Sequence, residues 1–377
     1  MVSIFRSSSH AHAPSGKLTI LVPTYRFDAR ARHTLAATAA LASDEVAVVI
    51  ADNSEDRGKH EFLRMLRRLH PNVHVFCHER NIGALGNWEF LFRQAVLDYY
   101  LFIGDDDLCS PPYVESAMRL LDQHADATAA AGAFVMLTST NQMMRANGAR
   151  TEDSAYQRCV SFPIGGGNSL PNSMARRPAA QPFIDYARGH PLRASFFDWM
   201  MSYSLLAQGK YQVENQGLYL YDITNWEGGE ACWKSNAKFY VAAGLPDAFT
   251  WLHELYWAVE FAHYFRGIHS PISDRRQSDD CARHFYLNRI HEFRRFLSNP
   301  ANGAVAERLV SHRPHAVDAM RALAGNDDAL QPAIFEWFYE ILAAFDQECA
   351  VAYLDYASAS VEAAAQHSAE AVGTAPG

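Results

Sequence analysis

The chain has 377 residues, 49% of them hydrophobic and 20% charged, with a formal net charge of −9. This is an ordinary globular composition, long enough for one large domain or two smaller ones, and its negative balance argues against a nucleic-acid partner. No apolar run reaches the roughly 18 residues of a membrane span, and the Ser- and His-rich start, residues 1–16, lacks the apolar core of a secretory signal and is expected to be disordered. The six cysteines form no CxxC pair and read as reduced thiols of a cytoplasmic protein. The histidines are scattered. His253-Glu254 and His291-Glu292 each lack the second histidine of a zinc-protease helix, and His74 and His78 lie too far apart along a strand to share a metal comfortably.

Taken in order, Lys17 to Val22 is an apolar strand, stopped by Pro23-Thr24-Tyr25-Arg26. An alanine-rich helix follows from about Arg30 to Ala42. Glu45 to Ala51 is a second strand, ending in Asp52-Asn53-Ser54, and His60 to Leu69 has helical spacing. Val73 to Cys77 is a third strand, Asn81-Ile82-Gly83 a turn, and Leu85 to Leu97 a helix. A fourth strand begins at Tyr99, a helix runs from Pro111 to His124, and Thr128 to Leu137 is a fifth strand. Strands alternating with helices over short connections imply a parallel sheet with right-handed crossovers. The polar ends of strands one, two and four should then gather along one edge, where open α/β sheets bind ligands.

The fourth strand runs into Asp105-Asp106-Asp107. Three adjacent carboxylates repel one another, and a hard divalent cation with a bound diphosphate is a natural reason to collect them beside a buried strand. The alternative is a solvated acidic turn that caps the next helix. From Thr138 to Pro182 periodicity is poor; Gly165-Gly166-Gly167 is not followed by Gly-Lys-Ser/Thr and reads as a flexible loop. Ser195 to Gln208 is again helical, with Asp198 in its first turn and Gly209 as its stop. Val213 to Tyr221 is one more strand. Residues 226–356 read as an aromatic-rich helical subdomain, and residues 357–377, rich in Ala, Ser and Glu, as a disordered tail.

Four motifs in this order resemble the family-2 glycosyltransferases of GT-A fold: Leu-Val-Pro-Thr-Tyr-Arg, Ala-Asp-Asn-Ser, Asn-Ile-Gly-Ala-Leu-Gly-Asn-Trp, and Ile-Gly-Asp-Asp-Asp-Leu-Cys-Ser-Pro. The resemblance spans about residues 17 to 225. It implies a Rossmann-like, mostly parallel α/β sheet as the catalytic domain, and a nucleotide-diphosphate-sugar donor, most commonly a UDP-sugar. Pro23, Thr24, Tyr25 and Arg26 match the motif that cradles base and ribose; Tyr25 offers a stacking face and Arg26 a charge for phosphate. Asp52 matches the aspartate that bonds the base, and Gly83 and Asn87 the turn and helix start that face the donor. For Asn81, Asn87 and Trp88, turn former, helix cap and core aromatic are the structural alternatives.

The aspartate triplet falls at the family's D-x-D site. Either Asp105 and Asp107 form the pair, or Gly104 replaces the first aspartate and Asp106 is the direct ligand. Asp105 and Asp106 are thus donor-binding candidates, and Asp105, Asp106 and Asp107 the candidate ligands of Mg²⁺ or Mn²⁺, which would stabilise the leaving diphosphate. An inverting transfer also needs a base. The family takes it from a Glu-Asp pair that opens a helix, with glycine eleven residues beyond. Asp198 and Gly209 reproduce that spacing, although Phe197 replaces the glutamate. Glu254 is the competitor and Asp247 a weaker third. Arg176 and Arg177 could touch phosphate or acceptor, but are favoured as solvated charges.

The reading is a metal-dependent, inverting glycosyltransferase acting on a hydroxyl of a saccharide, lipid-linked or protein acceptor, without a membrane span but with room for peripheral contact at the inner face of a membrane. Two rivals stay open. A sugar-nucleotide pyrophosphorylase would need a Gly-rich basic loop after strand one, and a non-catalytic nucleotide-sugar-binding scaffold would need only the cleft.

Overall fold

In the computed structural model the described residues are 2–3, 13–140, 143–145, 148–162, 168–192, 197–325 and 329–373. The glycine run 165–167 and the last four residues lie outside them, as does most of the segment 1–12. The chain divides into two compact units, Met1–Ile184 with Phe196–Cys232, and Asp185–Ser195 with Trp233–Gly377.

The first unit is built on a ten-stranded mixed sheet among the described residues. In chain order the strands are β1 Val2–Ser3, β2 Leu18–Thr24, β3 Val46–Asp52, β4 Val73–His78, β5 Tyr99–Phe102, β6 Leu108–Cys109, β7 Ala127–Leu137, β8 Met143–Arg145, β9 Met174–Arg176 and β10 Lys210–Asp222. Their order across the sheet is β1-β4-β3-β2-β5-β9-β7-β10-β6, with β8 on β7. The central block β4-β3-β2-β5 is parallel, from Leu18 opposite Val46 to Thr24 opposite Asp52. Its strands are continuous apolar runs because helices cover both faces: β3 is buried at every position. The crossovers are α1 Ala29–Ala39, α2 Arg57–Leu69, α3 Gly83–Gln94 and α4 Pro111–Gln123. Asp28 and Asp56 cap α1 and α2 by accepting from Ala31 N and Lys59 N, as short polar side chains do at helix starts. The GT-A-type architecture expected from the sequence is thus present.

One departure is β9, which enters antiparallel between β5 and β7. It is three residues long, too short to stand out by periodicity. Its Arg176 is no solvated charge: Nε donates to the Ala127 carbonyl at 2.8 Å and Nη2 to those of Leu121 and His124 at 2.6 and 3.2 Å. It thereby satisfies carbonyls at the end of α4, which a helix leaves without partners. Arg177 does the same for α3, donating to the Ala95 carbonyl.

Strands β7 and β10 run parallel with a jump in register. Val213 faces Ala131 and Leu218 faces Ala133, so residues 214–217 loop out opposite Gly132. A Cβ on Gly132 would lie 2.2 Å from the Gln216 carbonyl oxygen, and one on Gly217, whose φ is +69°, 2.0 Å from Tyr113 N. Only glycine fits this close approach.

The second unit is helical. Helix α9, His253–Arg266, is buried almost all round, as befits a helix at the centre of its unit. Around it lie α10 Arg275–Ser298, α13 Pro332–Phe345 and α14 Gln347–Gly373. Aromatic rings fill the space between: Tyr256 stacks on Phe338 at 5.8 Å and Phe261 on Phe285 at 5.0 Å. The segment expected to be a disordered tail is helical to Gly373; its alanines are strong helix formers. None of the described helices is long and apolar enough to cross a membrane.

A buried polar chain crosses this core. His190 Nδ1 donates to the Leu192 carbonyl at 2.8 Å, Nε2 meets Glu260 Oε1 at 2.6 Å, and the Tyr353 hydroxyl donates to Glu260 Oε2 at 2.5 Å. Burial pushes the Glu260 carboxyl up to about 8, so one proton stays between Glu260 and His190. With its folded value above its unfolded one, Glu260 contributes stability that is lost as pH rises through about 8. Unfolded histidine keeps its own extra proton to about pH 6.5, which moves the onset of that loss up from the ordinary glutamate value to there. Wild-type stability is therefore expected to fall by about 2 kcal/mol between pH 6.5 and 8 relative to Glu260→Gln. Parallel urea titrations of the two proteins at both pH values check this, and identical pH slopes would refute it.

Candidate active site

The site lies at the carboxyl edge of the central strands in the first unit. Strand β5 is fully buried and the chain turns immediately beyond it. Asp105 is drawn toward the loop after β2, its neighbour in the sheet. Its Oδ2 accepts from Thr24 Oγ1, Tyr25 N and Arg26 N, each at 2.9 Å, and its Oδ1 from Arg26 Nε at 3.3 Å. Asp105 is therefore the clamp that shapes the Thr24–Arg26 loop. Three of these four donors share Oδ2, so the expected role as a cation ligand would fall to Oδ1, which holds one longer bond from Arg26.

Asp107 turns the other way, toward β10. Tyr219 donates its hydroxyl proton to Asp107 Oδ2 at 2.9 Å, Gly104 N donates to the same oxygen at 3.3 Å, and Asp222 N donates to Oδ1 at 3.3 Å. Burial, helped by the charge of Asp106, pushes its carboxyl up to about 7. Asp106 lies between them, more exposed than either, and pairs with the Arg26 guanidinium. Burial raises its carboxyl pKa as well, against the pull of Arg26. The three side chains diverge rather than gather: among the described residues only Asp52, His60 and Cys77 bring three ligand-type atoms within 4.8 Å of one another.

Two residues join the site that the sequence did not single out. Arg30 pairs with the Asp222 carboxylate and donates to the Asp106 carbonyl at 2.9 Å. Burial works to raise the pKa of Asp222, but hydrogen bonds from Thr224 and the charge of Arg30 outweigh it and hold the net value low. Four carboxylates (Asp105, Asp106, Asp107 and Asp222) thus face two guanidiniums (Arg26 and Arg30), a surplus of two negative charges when all are ionised. The signal for Asp222 was its place at a strand end, the same setting as the triplet.

Beside this cluster is an open cavity of about 440 Å³ lined by Tyr25, Phe27, Asn53, Ser54, Glu55, Asp56 and Asn81. Tyr25 is 60% exposed, so its ring offers a free face. Pro23 lies half-buried in β2, one residue before the clamped Thr24. Asn53 Nδ2 donates to Asn81 Oδ1 at 2.8 Å and to the Gly83 carbonyl at 3.1 Å, and its Oδ1 accepts from Ile82 N. This closes the loop after β3 onto the turn where Gly83 takes φ +76°.

Asp52 does not reach the cavity, which corrects its assignment as the base contact. It is fully buried, with Lys59 Nζ at 2.8 Å from Oδ1 and His60 Nε2 at 3.1 Å from Oδ2. Ser54 N and Oγ complete its shell at 3.0 and 3.1 Å. The buried ammonium of Lys59 neutralises it, so a cation ligated by Asp52, His60 and Cys77 would meet a like charge. Asn87 is likewise a core tie rather than a donor-facing group, bonded to the Ala51 carbonyl at 3.0 Å and to His78 Nε2 at 2.9 Å. Trp88 stacks on Phe102 at 4.8 Å.

Asp198 opens helix α7, Phe197–Gln208. Asn168 Nδ2 donates to its Oδ2 at 3.2 Å, and Asn168 is oriented in turn by the Ser202 hydroxyl at 2.7 Å. Burial raises its carboxyl pKa, partly offset by Asn168, a setting that suits a proton acceptor. The Tyr221 phenol feels the charges of Asp107, Asp198, Asp106 and Asp222 together. In the second unit Glu254 is bound to Arg289 at 2.9 Å, a structural ion pair, and Asp247 is exposed at the start of a 3₁₀ turn.

An open, mostly parallel α/β sheet with a cavity and an acid cluster at its carboxyl edge is an architecture of the GT-A type, in which ligands meet the carboxyl ends of the strands. Residues 19–181 match the family description "Glycosyl transferase family 2". Among solved structures, residues 1–349 of S. aureus TarS share 16% identity with a TM-score of 0.46, covering 87% of this chain and 91% of that one. The same TarS fragment in complex with UDP-GlcNAc gives 15% and 0.44 over the same coverage. Against a longer TarS chain, at 16% identity and a TM-score of 0.42, this chain spans 50% of its length. No curated protein matches in sequence.

Proposed function

We propose that this protein is a metal-dependent, inverting glycosyltransferase that moves a sugar from a UDP-sugar to a hydroxyl of a saccharide, lipid-linked or protein acceptor. The observation that carries the proposal is the presence, at the carboxyl edge of one sheet, of an open cavity with a free aromatic face and an acid cluster with uncompensated charge, together with a half-buried carboxylate set apart from it.

In this reading the nucleotide lies with its base in the cavity, against Tyr25 and the polar edges of Asn53 and Ser54. The surplus of negative charge fits a divalent cation, Mg²⁺ or Mn²⁺. Asp106 is the residue of the triplet best placed to hold it, with Asp107 and Asp222 behind it; when bound, such a cation neutralises charge on the leaving diphosphate. Arg26 and Arg30 lie where they can turn from carboxylates to phosphate oxygens. Asp198 takes the proton of the acceptor hydroxyl as the oxygen attacks the sugar carbon. Asn168 orients its carboxylate by donating to Oδ2.

A thermal-shift screen of UDP, GDP and ADP with and without Mn²⁺ tests the reading. A ligand at a hundred times its dissociation constant stabilises the native state by about 2.7 kcal/mol. The expected result is a shift with UDP that needs the cation. The absence of a shift with any of the three nucleotides would favour a degenerate scaffold, and release of pyrophosphate from a sugar nucleotide would indicate a pyrophosphorylase.

A further inference from the structure

Strand β10 delivers two tyrosines to the cleft, and they differ in one respect. Tyr219 and Tyr221 lie two residues apart, so their side chains share one face of the sheet, and both rings pack on Phe134, at 5.0 and 5.9 Å between centroids. The Tyr219 hydroxyl is committed to the protein, to Asp107 Oδ2 and the Phe102 carbonyl. The Tyr221 hydroxyl makes no hydrogen bond among the described residues. It is also one step nearer the carboxyl edge of its strand, where such sheets meet their ligands.

We infer that Tyr221 is a substrate contact, its hydroxyl donating a hydrogen bond to the sugar being transferred from the donor. The inference rests on the function proposed above. The position argues for the sugar rather than for the nucleotide. In the proposed function Asp106 serves the diphosphate side and Asp198 the acceptor side; the Tyr221 phenol is near enough to both to feel their charges, and the group between leaving diphosphate and incoming hydroxyl is the sugar. The surrounding chemistry argues for a donor role. A phenol keeps its proton at neutral pH, and the Tyr221 hydroxyl, without a hydrogen-bond partner among the described residues and with its ring packed on Phe134, has that proton available to a sugar oxygen.

The test compares affinities by calorimetry, for wild type and Tyr221→Phe, of UDP and of UDP-glucose, UDP-galactose and UDP-GlcNAc, all with Mn²⁺. Phenylalanine keeps the ring and its packing, so the unliganded melting temperature is a control on the fold. Losing one hydrogen bond of about 1 kcal/mol should weaken the preferred UDP-sugar about fivefold and leave UDP unchanged. An equal loss for UDP and for UDP-sugar would place the contact on the diphosphate and overturn the inference. Unchanged affinity for every ligand would overturn it as well. A wild type that binds none of the four would instead sink the function proposed above, and this inference with it.

Discussion

Replacing Asp198 with asparagine is expected to lower kcat by about 10²- to 10⁴-fold, the usual contribution of a positioned general base, while UDP binding stays at the wild-type level. Asparagine matches the aspartate in size and can still meet Asn168, so the start of α7 has no reason to rearrange. It has no lone pair basic enough to accept the acceptor proton. Release of UDP from a UDP-sugar, with water as acceptor, reads the loss without knowledge of the natural acceptor, and calorimetry with UDP reads the binding. Because burial raises the pKa of Asp198, the wild-type rate should also fall on the acid side at a pH above the ordinary aspartate range. A variant within tenfold of wild type would hand the role to another group. Glu254 is poorly placed to inherit it, because Arg289 already holds its carboxylate at 2.9 Å.

The second large effect is expected at Asp106. Asp106→Ala should weaken Mn²⁺-dependent UDP binding by 100-fold or more, since a cation at a diphosphate contributes several kcal/mol. The same change should cost the unliganded protein little stability, because it removes a carboxylate that burial disfavours. Asp105→Ala is the informative contrast. It leaves Thr24 Oγ1 and the backbone amides of Tyr25 and Arg26 without their acceptor, at about 1–3 kcal/mol for each donor left buried. Its melting temperature should drop before any ligand is added. Calorimetry with Mn²⁺ and UDP, set beside melting curves of both variants, separates a ligand from a clamp. Equal losses of binding and of stability in the two would refute the division of labour within the triplet.

The order of strands and helices from Leu18 to Leu137 was legible, apart from the two-residue β6, because the elements are cut by Pro, Gly or Asp; β1, also two residues long, fell in the start expected to be disordered. The placing of the acid triplet at a strand end was legible for the same reason. The work of its members was not. Which carboxylate faces the cleft depends on neighbours from far along the chain, Thr24 and Arg26 for Asp105, and Tyr219 and Asp222 for Asp107. Asp52 shows the same limit. Its motif places it on the nucleotide, yet the lysine and histidine that occupy it sit seven and eight residues later on a helix, where the sequence shows only a charged run. Arg176 and Arg177 look like surface charges until the ends of α4 and α3 are seen to stop against them. Asn168, which orients Asp198, lies in a stretch without periodicity, where no pattern separates an orienting amide from a loop residue.

The bulge of β10 carries a consequence for how this cleft tolerates change. Residues 214–217 stand opposite the single Gly132, and everything beyond them, Tyr219, Tyr221 and Asp222 included, takes its facing from that excess. A strand alternates faces with every residue, so parity decides which side chains look into the cleft. A one-residue slip of β10 beyond the bulge would turn Leu218 and Leu220 toward Asp107 and carry both phenols to the opposite side. The alignment of the cleft is thus held by a segment that contributes no side chain to it, pinned where Gly132 and Gly217 let the backbones meet.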